Sequence, residues 1–452
     1  MSQDQRARLK EWLESGEIRL QPLTFPQREL WEASPVPATD QSNNICAMIH
    51  IRGRLTPEGG EAALQKVVDR QEVFRLSFLP GKGQPMQMIR QSGKPALCFS
   101  ELPASQRSPE AIEERAGEIF DAPFDLVQGP LYRAEVLRLA ADDHVLVFAI
   151  HHAIADGWTL GVFVQDLFTA YLQVVRGVTS KLPPVPLSYT DWGAAERAFW
   201  QPAELAQRAT FWKSNLAAAP RLWSPPNDPD AASGRPQRWV SHVPAELGRA
   251  LRELARRHGA TLFSTLLTAF QITLAQWTGS DDIVVGTPVA NRNKPAIGET
   301  MGYCSGIVPL RGQIDPARKL SNSLRAVHLA TLDAFANAMP FAELVRVVGG
   351  APAAGSNPVF EVRFALQNHP VPDVETPGLS LQLRMRSTGT ARFAIACEIS
   401  EEGDALEVAW LFRPQLVPLA DIQNLGLMYI AALAGVCQSP ESLTSTLMTS
   451  LP

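Results

Sequence analysis

VLVFAIHHAIADGW, residues Val145–Trp158, is where the chain turns from a strand into a helix and where its chemistry is concentrated. Six apolar residues of strand length end abruptly at His151-His152, and a long amphipathic pattern begins just past Asp156-Gly157. Leu160, Phe163, Val164, Leu167, Phe168, Tyr171, Leu172 and Val175 recur at steps of three and four, which predicts one helix with a single apolar face. Neighbouring strand residues point to opposite faces, so His151 and His152 are expected to serve different surroundings. That geometry opposes a metal site built from both imidazoles and Asp156, and no metal is expected. An acid/base site needs one histidine only, with Asp156 holding the loop or the ring. A buried histidine pair that merely ends a strand is the structural alternative.

Working outward, the same strand–helix alternation runs in both directions. Before the segment, strands are expected at Ile45–Ile51, Val73–Phe78, Pro85–Arg90, Leu131–Leu139 and His144–Ile150, with helices at Glu61–Arg70 and Glu110–Phe120. Pro80-Gly81-Lys82-Gly83 marks a turn. Pro183, Pro184 and Pro186 make Arg176–Ser188 an extended linker, and Ser224–Pro236 reads as a loop. Beyond them a strand near Trp239 and helices at Glu246–Arg257 and Leu262–Trp277 are expected, then strands at Asp282–Gly286, Gly306–Arg311, Val359–Leu366, Leu379–Met385, Phe393–Ile399 and Ala405–Phe412. Leu419–Val436 is a closing helix. Two α/β halves with mostly antiparallel sheets, 1–178 and 179–452, are the simplest account of this order.

Composition narrows the function. The 452 residues are 45% hydrophobic and 19% charged, ample for packed cores. The 41 Lys+Arg against 46 Asp+Glu leave a net charge of -5, which gives no footprint for a nucleic-acid partner. Cys46, Cys98, Cys304, Cys397 and Cys437 are widely spaced without a CxxC pair, so neither a disulfide framework nor a zinc knuckle is expected, and a reducing, cytoplasmic setting fits. Met1–Leu20 is polar, with no signal-peptide core. Without a run of about 18 apolar residues, no membrane span is expected.

HHAIADG resembles the HHxxxDG signature of the condensation domains of nonribosomal peptide synthetases. Other stretches are similar to that family's motifs, in its order. They are Leu23–Trp31 (LTFPQRELW), Arg70–Phe78 (RQEVFRLSF), Tyr189–Trp192 (YTDW), Val285–Arg292 (VGTPVANR), Met301-Gly302-Tyr303, Met339-Pro340-Phe341 and Asn357–Phe360 (NPVF), the last running on to Leu366-Gln367-Asn368. The resemblance implies an α/β fold of two chloramphenicol-acetyltransferase-like lobes, forming a V around a central tunnel.

It also implies the chemistry. An acyl group arrives as a thioester on the phosphopantetheine arm of a donor carrier protein and passes to an amine or hydroxyl, held by an acceptor carrier or free as a small molecule. No cofactor of the enzyme's own is implied, and a monomer is expected. His152 is the functional histidine and His151 helps set the loop. Asp156 makes a structural ion pair, first with Arg292, with Arg75 as the other candidate, and Asn357 belongs to a supporting motif. The Gly157 N–H at a helix start suits an oxyanion; the glycine equally suits a turn with an unusual φ. Trp158, Cys304, Ser305 and Gly306 are expected along the tunnel, and Cys304, with no base beside it, as a loop residue rather than a nucleophile.

The chain departs from the family pattern at Cys304-Ser305-Gly306-Ile307, at Asn337-Ala338 and at Phe393-Ala394. These changes favour an unusual acceptor, a soluble amine or alcohol, and suggest a stand-alone, chain-releasing member of a hybrid polyketide/nonribosomal peptide pathway. If Met1 and Pro452 are true termini, a stand-alone enzyme meeting its carriers in trans is expected; if the chain is excised from a larger protein, any docking segment has been trimmed away. A non-catalytic relative that recruits a partner to an assembly line is the alternative. A plant-type CoA-dependent acyltransferase lacks support, because no DFGWG is present.

Overall fold

The computed structural model describes residues 3–32, 43–81, 83, 85–222, 237–349, 357–367, 374–388 and 393–451. The expected loop at Ser224–Pro236, Lys82 of the turn and Asn368 lie outside them. Strands are numbered in chain order. The first half contributes β1 (Ile18–Pro22), β2 (Asn44–Gly53), β3 (Leu76–Leu79), β4 (Met86–Arg90), β5 (Leu97–Glu101), β6 (Tyr132–Arg138) and β7 (Asp143–His151). The second contributes β8 (Gln237–Val243), β9 (Asp282–Val289), β10 (Gly306–Gln313), β11 (Val362–Gln367), β12 (Val374–Thr376), β13 (Leu379–Thr388), β14 (Ile395–Glu402) and β15 (Ala405–Phe412).

They form two six-stranded sheets, β12-β13-β2-β7-β6-β5 and β10-β9-β11-β14-β15-β8, and a small sheet β1-β4-β3. Most pairings are antiparallel; β5–β6, β11–β9 and β11–β14 are parallel. The α/β, mostly antiparallel reading therefore stands. The expected strand Val73–Phe78 is half wrong. Glu72–Arg75 is a 3-10 turn and only Leu76–Leu79 is strand. The Arg75 guanidinium ties this turn down, donating to the carbonyls of Val68 (3.0 Å), Arg90 (2.7 Å) and Gln91 (2.8 Å).

The linear division at 178/179 is crossed by three segments, the first carrying Leu182, Tyr189 and Trp192 into the first half's core. β13 comes from the second half but pairs with β2, from Leu379 opposite Gly53 to Thr388 opposite Ile45. Its Leu379, Leu381 and Leu383 are buried in the first half's core, as are Ile297, Met301, Tyr303 and Cys304 from the connection between β9 and β10. Each such leucine stabilises the junction by about 1.5–3 kcal/mol, so the halves are fastened by hydrophobic burial as well as by the linker. Helix Leu419–Gln438 is long and apolar enough to cross a membrane by length and composition. In the structure Ile422, Leu425, Tyr429, Ala432 and Leu433 of that helix lie in the second half's core.

β7 lies between β2 and β6 and is buried along nearly its whole length, which explains its unbroken apolar run. At its far end from the histidine pair, His144 is only 1% exposed. Burial, helped by Arg138, pushes its imidazole below the usual histidine range against the pull of Asp143 and Asp142. A group with a depressed folded-state pKa binds its proton more readily when unfolded. The neutral ring's contribution is thus complete above about pH 6.5 and is lost as pH falls below it. The urea midpoint should drop between pH 7.5 and pH 5, and drop less in His144→Leu; equal slopes in the two proteins would refute this.

Candidate active site

His151 is the strand's last residue and His152 opens the 3-10 turn His152–Ile154, so the turn, and not strand alternation, gives the two imidazoles different surroundings. His151 Nδ1 accepts the N–H of Ala153 at 3.1 Å, and its ring meets Phe124 edge-on. His152, 5% exposed, places Nδ1 2.7 Å from the carbonyl of Ala155 and its ring centroid 4.3 Å from that of Tyr303. A carbonyl can only accept, so Nδ1 of His152 carries the hydrogen and Nε2 is the basic nitrogen. His151 has the opposite tautomer, with Nδ1 as its acceptor. One ring accepts from the loop backbone and the other donates to it.

Asp156 caps helix Gly157–Val175 in a capping box with Thr159. Leu160, Phe163, Val164, Phe168 and Tyr171 bury the helix's apolar face, and Gly177 ends the segment with a left-handed φ of 70°. The Asp156 carboxylate is 3% exposed and accepts five hydrogen bonds. Oδ1 takes Thr159 N–H and O–H at 3.1 Å each and the Arg292 guanidinium at 3.2 Å; Oδ2 takes the N–H groups of Cys304 and Ser305 at 3.1 Å. The expected Asp156–Arg292 pair is therefore present. Arg75 is not its partner, being fully engaged by backbone carbonyls instead.

Arg292 also donates to the carbonyls of Thr300 (3.2 Å) and Gly302 (3.3 Å), and its guanidinium carbon stands 5.6 Å from the Trp158 ring centroid. Burial is the largest single influence and works against its charge, but Asp156 together with Cys304 and Tyr189 raises its pKa overall. The Trp158 indole donates to Gly298 O at 2.8 Å, fastening the helix start to the same connection. Gly157 is the first residue of the helix and is not among the positive-φ glycines, so the turn needs no left-handed residue there.

Two expectations change here. Cys304 is 0% exposed in the first half's core, so its side chain offers nothing to a tunnel; burial pushes its thiol far above the usual range. The other three expected tunnel residues, Trp158, Ser305 and Gly306, keep partial exposure. Asn357 organises the approach to β11, its Oδ1 accepting from Val359 N (2.9 Å) and Phe360 N (3.2 Å), and no described bond links it to the His152 loop.

Several residues that clamp the loop carry no role in the sequence reading. The Gln27 amide donates to Ala153 O at 3.0 Å. Gln71 accepts from Met301 N at 3.0 Å and donates to Asp166 at 2.8 Å. The Tyr189 hydroxyl donates to Tyr303 O at 3.0 Å, beneath the ring that covers His152. Gln27, Gln71 and Tyr189 all stand inside the family-like motifs, which is their one visible signal in the sequence.

Comparison with known proteins agrees with this geometry. The family model described as condensation domain matches residues 17–451. The phosphinothricin tripeptide synthetase PhsC of Streptomyces viridochromogenes is 34% identical over 354 residues, 77% of this chain and 32% of that one. The dimodular nonribosomal peptide synthase of Bacillus subtilis is 30% identical over 397 residues, 84% of this chain and 16% of that one. The chain thus spans a third or less of the length of these two relatives. Among solved structures, the X-domain in complex with OxyB from teicoplanin biosynthesis superposes with a TM-score of 0.83 at 22% identity, over 95% of this chain and 96% of that one. The condensation domain from the monacolin K polyketide synthase MokA does so at 0.78 and 19%, over 94% and 99%. With a family model covering nearly its full length and the HHxxxDG loop intact, the chain belongs to the condensation-domain family.

Proposed function

We propose that the chain transfers an acyl, peptidyl or polyketidyl group from a carrier-protein phosphopantetheine thioester to an amine or hydroxyl acceptor. The observation that carries this is the His152 imidazole, held by the Ala155 carbonyl in the tautomer that presents Nε2 as a base. The acceptor's nitrogen or oxygen attacks the thioester carbon as Nε2 takes its proton. Collapse of the tetrahedral intermediate breaks the C–S bond, and the proton returns to the departing thiolate. The Gly157 N–H at the helix start is the assigned oxyanion donor, a contact worth about 3–4 kcal/mol. His151 and Asp156 position the loop rather than touch the substrate.

A free acceptor, not only a carrier-bound one, fits the departures at Cys304-Ser305-Gly306. The connection reaches Asp156 through the backbone N–H groups of Cys304 and Ser305, so the clamp does not depend on the partly exposed Ser305 side chain. Chain release onto a soluble amine or alcohol is proposed from the departures from the family motif at these positions. The test is incubation with an acyl-loaded carrier protein and separate amine and alcohol acceptors, followed by intact-protein mass spectrometry. The acyl mass should leave the carrier only when an acceptor is present. Retention of the acyl group with every acceptor would instead favour a recruiting domain.

A further inference from the structure

A second cavity lies in the other half, away from the residues that clamp His152. β9 and β11 share only two rungs, Val285 with Val362 and Gly286 with Arg363. Past them β9 stays with β10, where Thr287 faces Val308, while β11 follows β14, where Leu366 faces Ile399. The strands part, and helices Leu262–Thr278 and Leu320–Ala336 border the gap, leaving a cavity of about 560 Å³. That lies within the range of roughly 300–1,000 Å³ typical of small-molecule sites.

Its wall combines two kinds of group. Phe263, Leu332, Phe335 and Leu366 are apolar. Beside them runs a chain of hydrogen-bonding groups: Thr261 Oγ1 lies 3.0 Å from Ser264 Oγ, which lies 2.9 Å from His328 Nδ1. Hydroxyls can each donate or accept, so such a chain suits a ligand hydroxyl. Of the described residues on the wall only Glu401 bears a fixed charge, and Arg252 already holds it at 2.6 Å. An ionised ligand would enter without a counter-ion.

We infer that this cavity binds a neutral amphipathic small molecule, an alkyl or aryl body bearing a hydroxyl group that bonds at the His328–Ser264 pair. The probe pair is 6-phenyl-1-hexanol and the matching carboxylate, 6-phenylhexanoate, titrated calorimetrically into the full chain. The alcohol should bind wild type and His152→Ala alike, and the carboxylate about tenfold more weakly or worse. Leu332→Glu adds a charge at a rim position that is 49% exposed, and His328→Phe removes one of the hydrogen-bonding groups; each should weaken the alcohol about tenfold while leaving the unfolding midpoint unchanged. Equal affinity for alcohol and carboxylate, no binding of either, or indifference to both substitutions would overturn the inference. None of these readings needs acyl transfer, so failure of the proposed reaction is separable from failure of this site.

Discussion

His152→Ala is expected to lower acyl transfer by about 10²–10⁴-fold, the range that a positioned general base contributes. The fold should survive, because the loop has other clamps: Gln27 on the Ala153 carbonyl, His151 on the Ala153 N–H, and Asp156 below. The size of the loss should depend on the acceptor. A free α-amine titrates near 8, so a useful fraction is unprotonated at neutral pH and the base mainly orients it and moves its proton. A hydroxyl must lose its proton during attack, so the alcohol reaction should lie at the severe end. Single-turnover rates with one carrier-bound acyl group and matched amine and alcohol acceptors read this directly. Comparable rates in wild type and variant, for both acceptors, would remove His152 from the mechanism.

The largest effect on stability is expected at Asp156. Breaking a buried ion pair costs about 3–5 kcal/mol, and Asp156→Ala should fall at the upper end. It leaves Arg292 buried with only two carbonyls, removes the cap of helix Gly157–Val175, and strands the N–H groups of Cys304 and Ser305. Arg292→Ala should fall at the lower end, because the carboxylate keeps four other donors, three of them backbone N–H groups, that of Thr159 being at a helix start. Urea unfolding of both variants and of the double variant gives the coupling. Losses below about 1 kcal/mol in both would show that the pair is not what joins these halves.

Those asymmetries arise because one carboxylate does two jobs at different sequence distances. As a cap it acts over three residues, to Thr159, which the Asp-Gly before an amphipathic run already signalled. As a clamp it reaches 136 residues on to Arg292 and 148 to Cys304. Cys304 shows the limit most clearly. Its place beside a motif suggested a tunnel surface, but the connection turns its side chain into the core and uses its N–H for Asp156. Arg75 shows it too. An arginine inside a family-like motif was a candidate counter-ion, and only its surroundings reveal that three nearby carbonyls hold it.

By itself the sequence determined most of the strands, about half of the helices, the HHxxxDG loop and the family. Those properties depend on side-chain periodicity and short-range spacing, which read along the chain. Tertiary structure alone decided that β13 leaves its own half to complete the other sheet, which histidine nitrogen carries the hydrogen, and which arginine meets Asp156. Each is settled by groups brought together from distant positions or by the direction of a single carbonyl. Local pattern carries no energy that distinguishes such alternatives; burial and hydrogen-bond satisfaction in the folded state do.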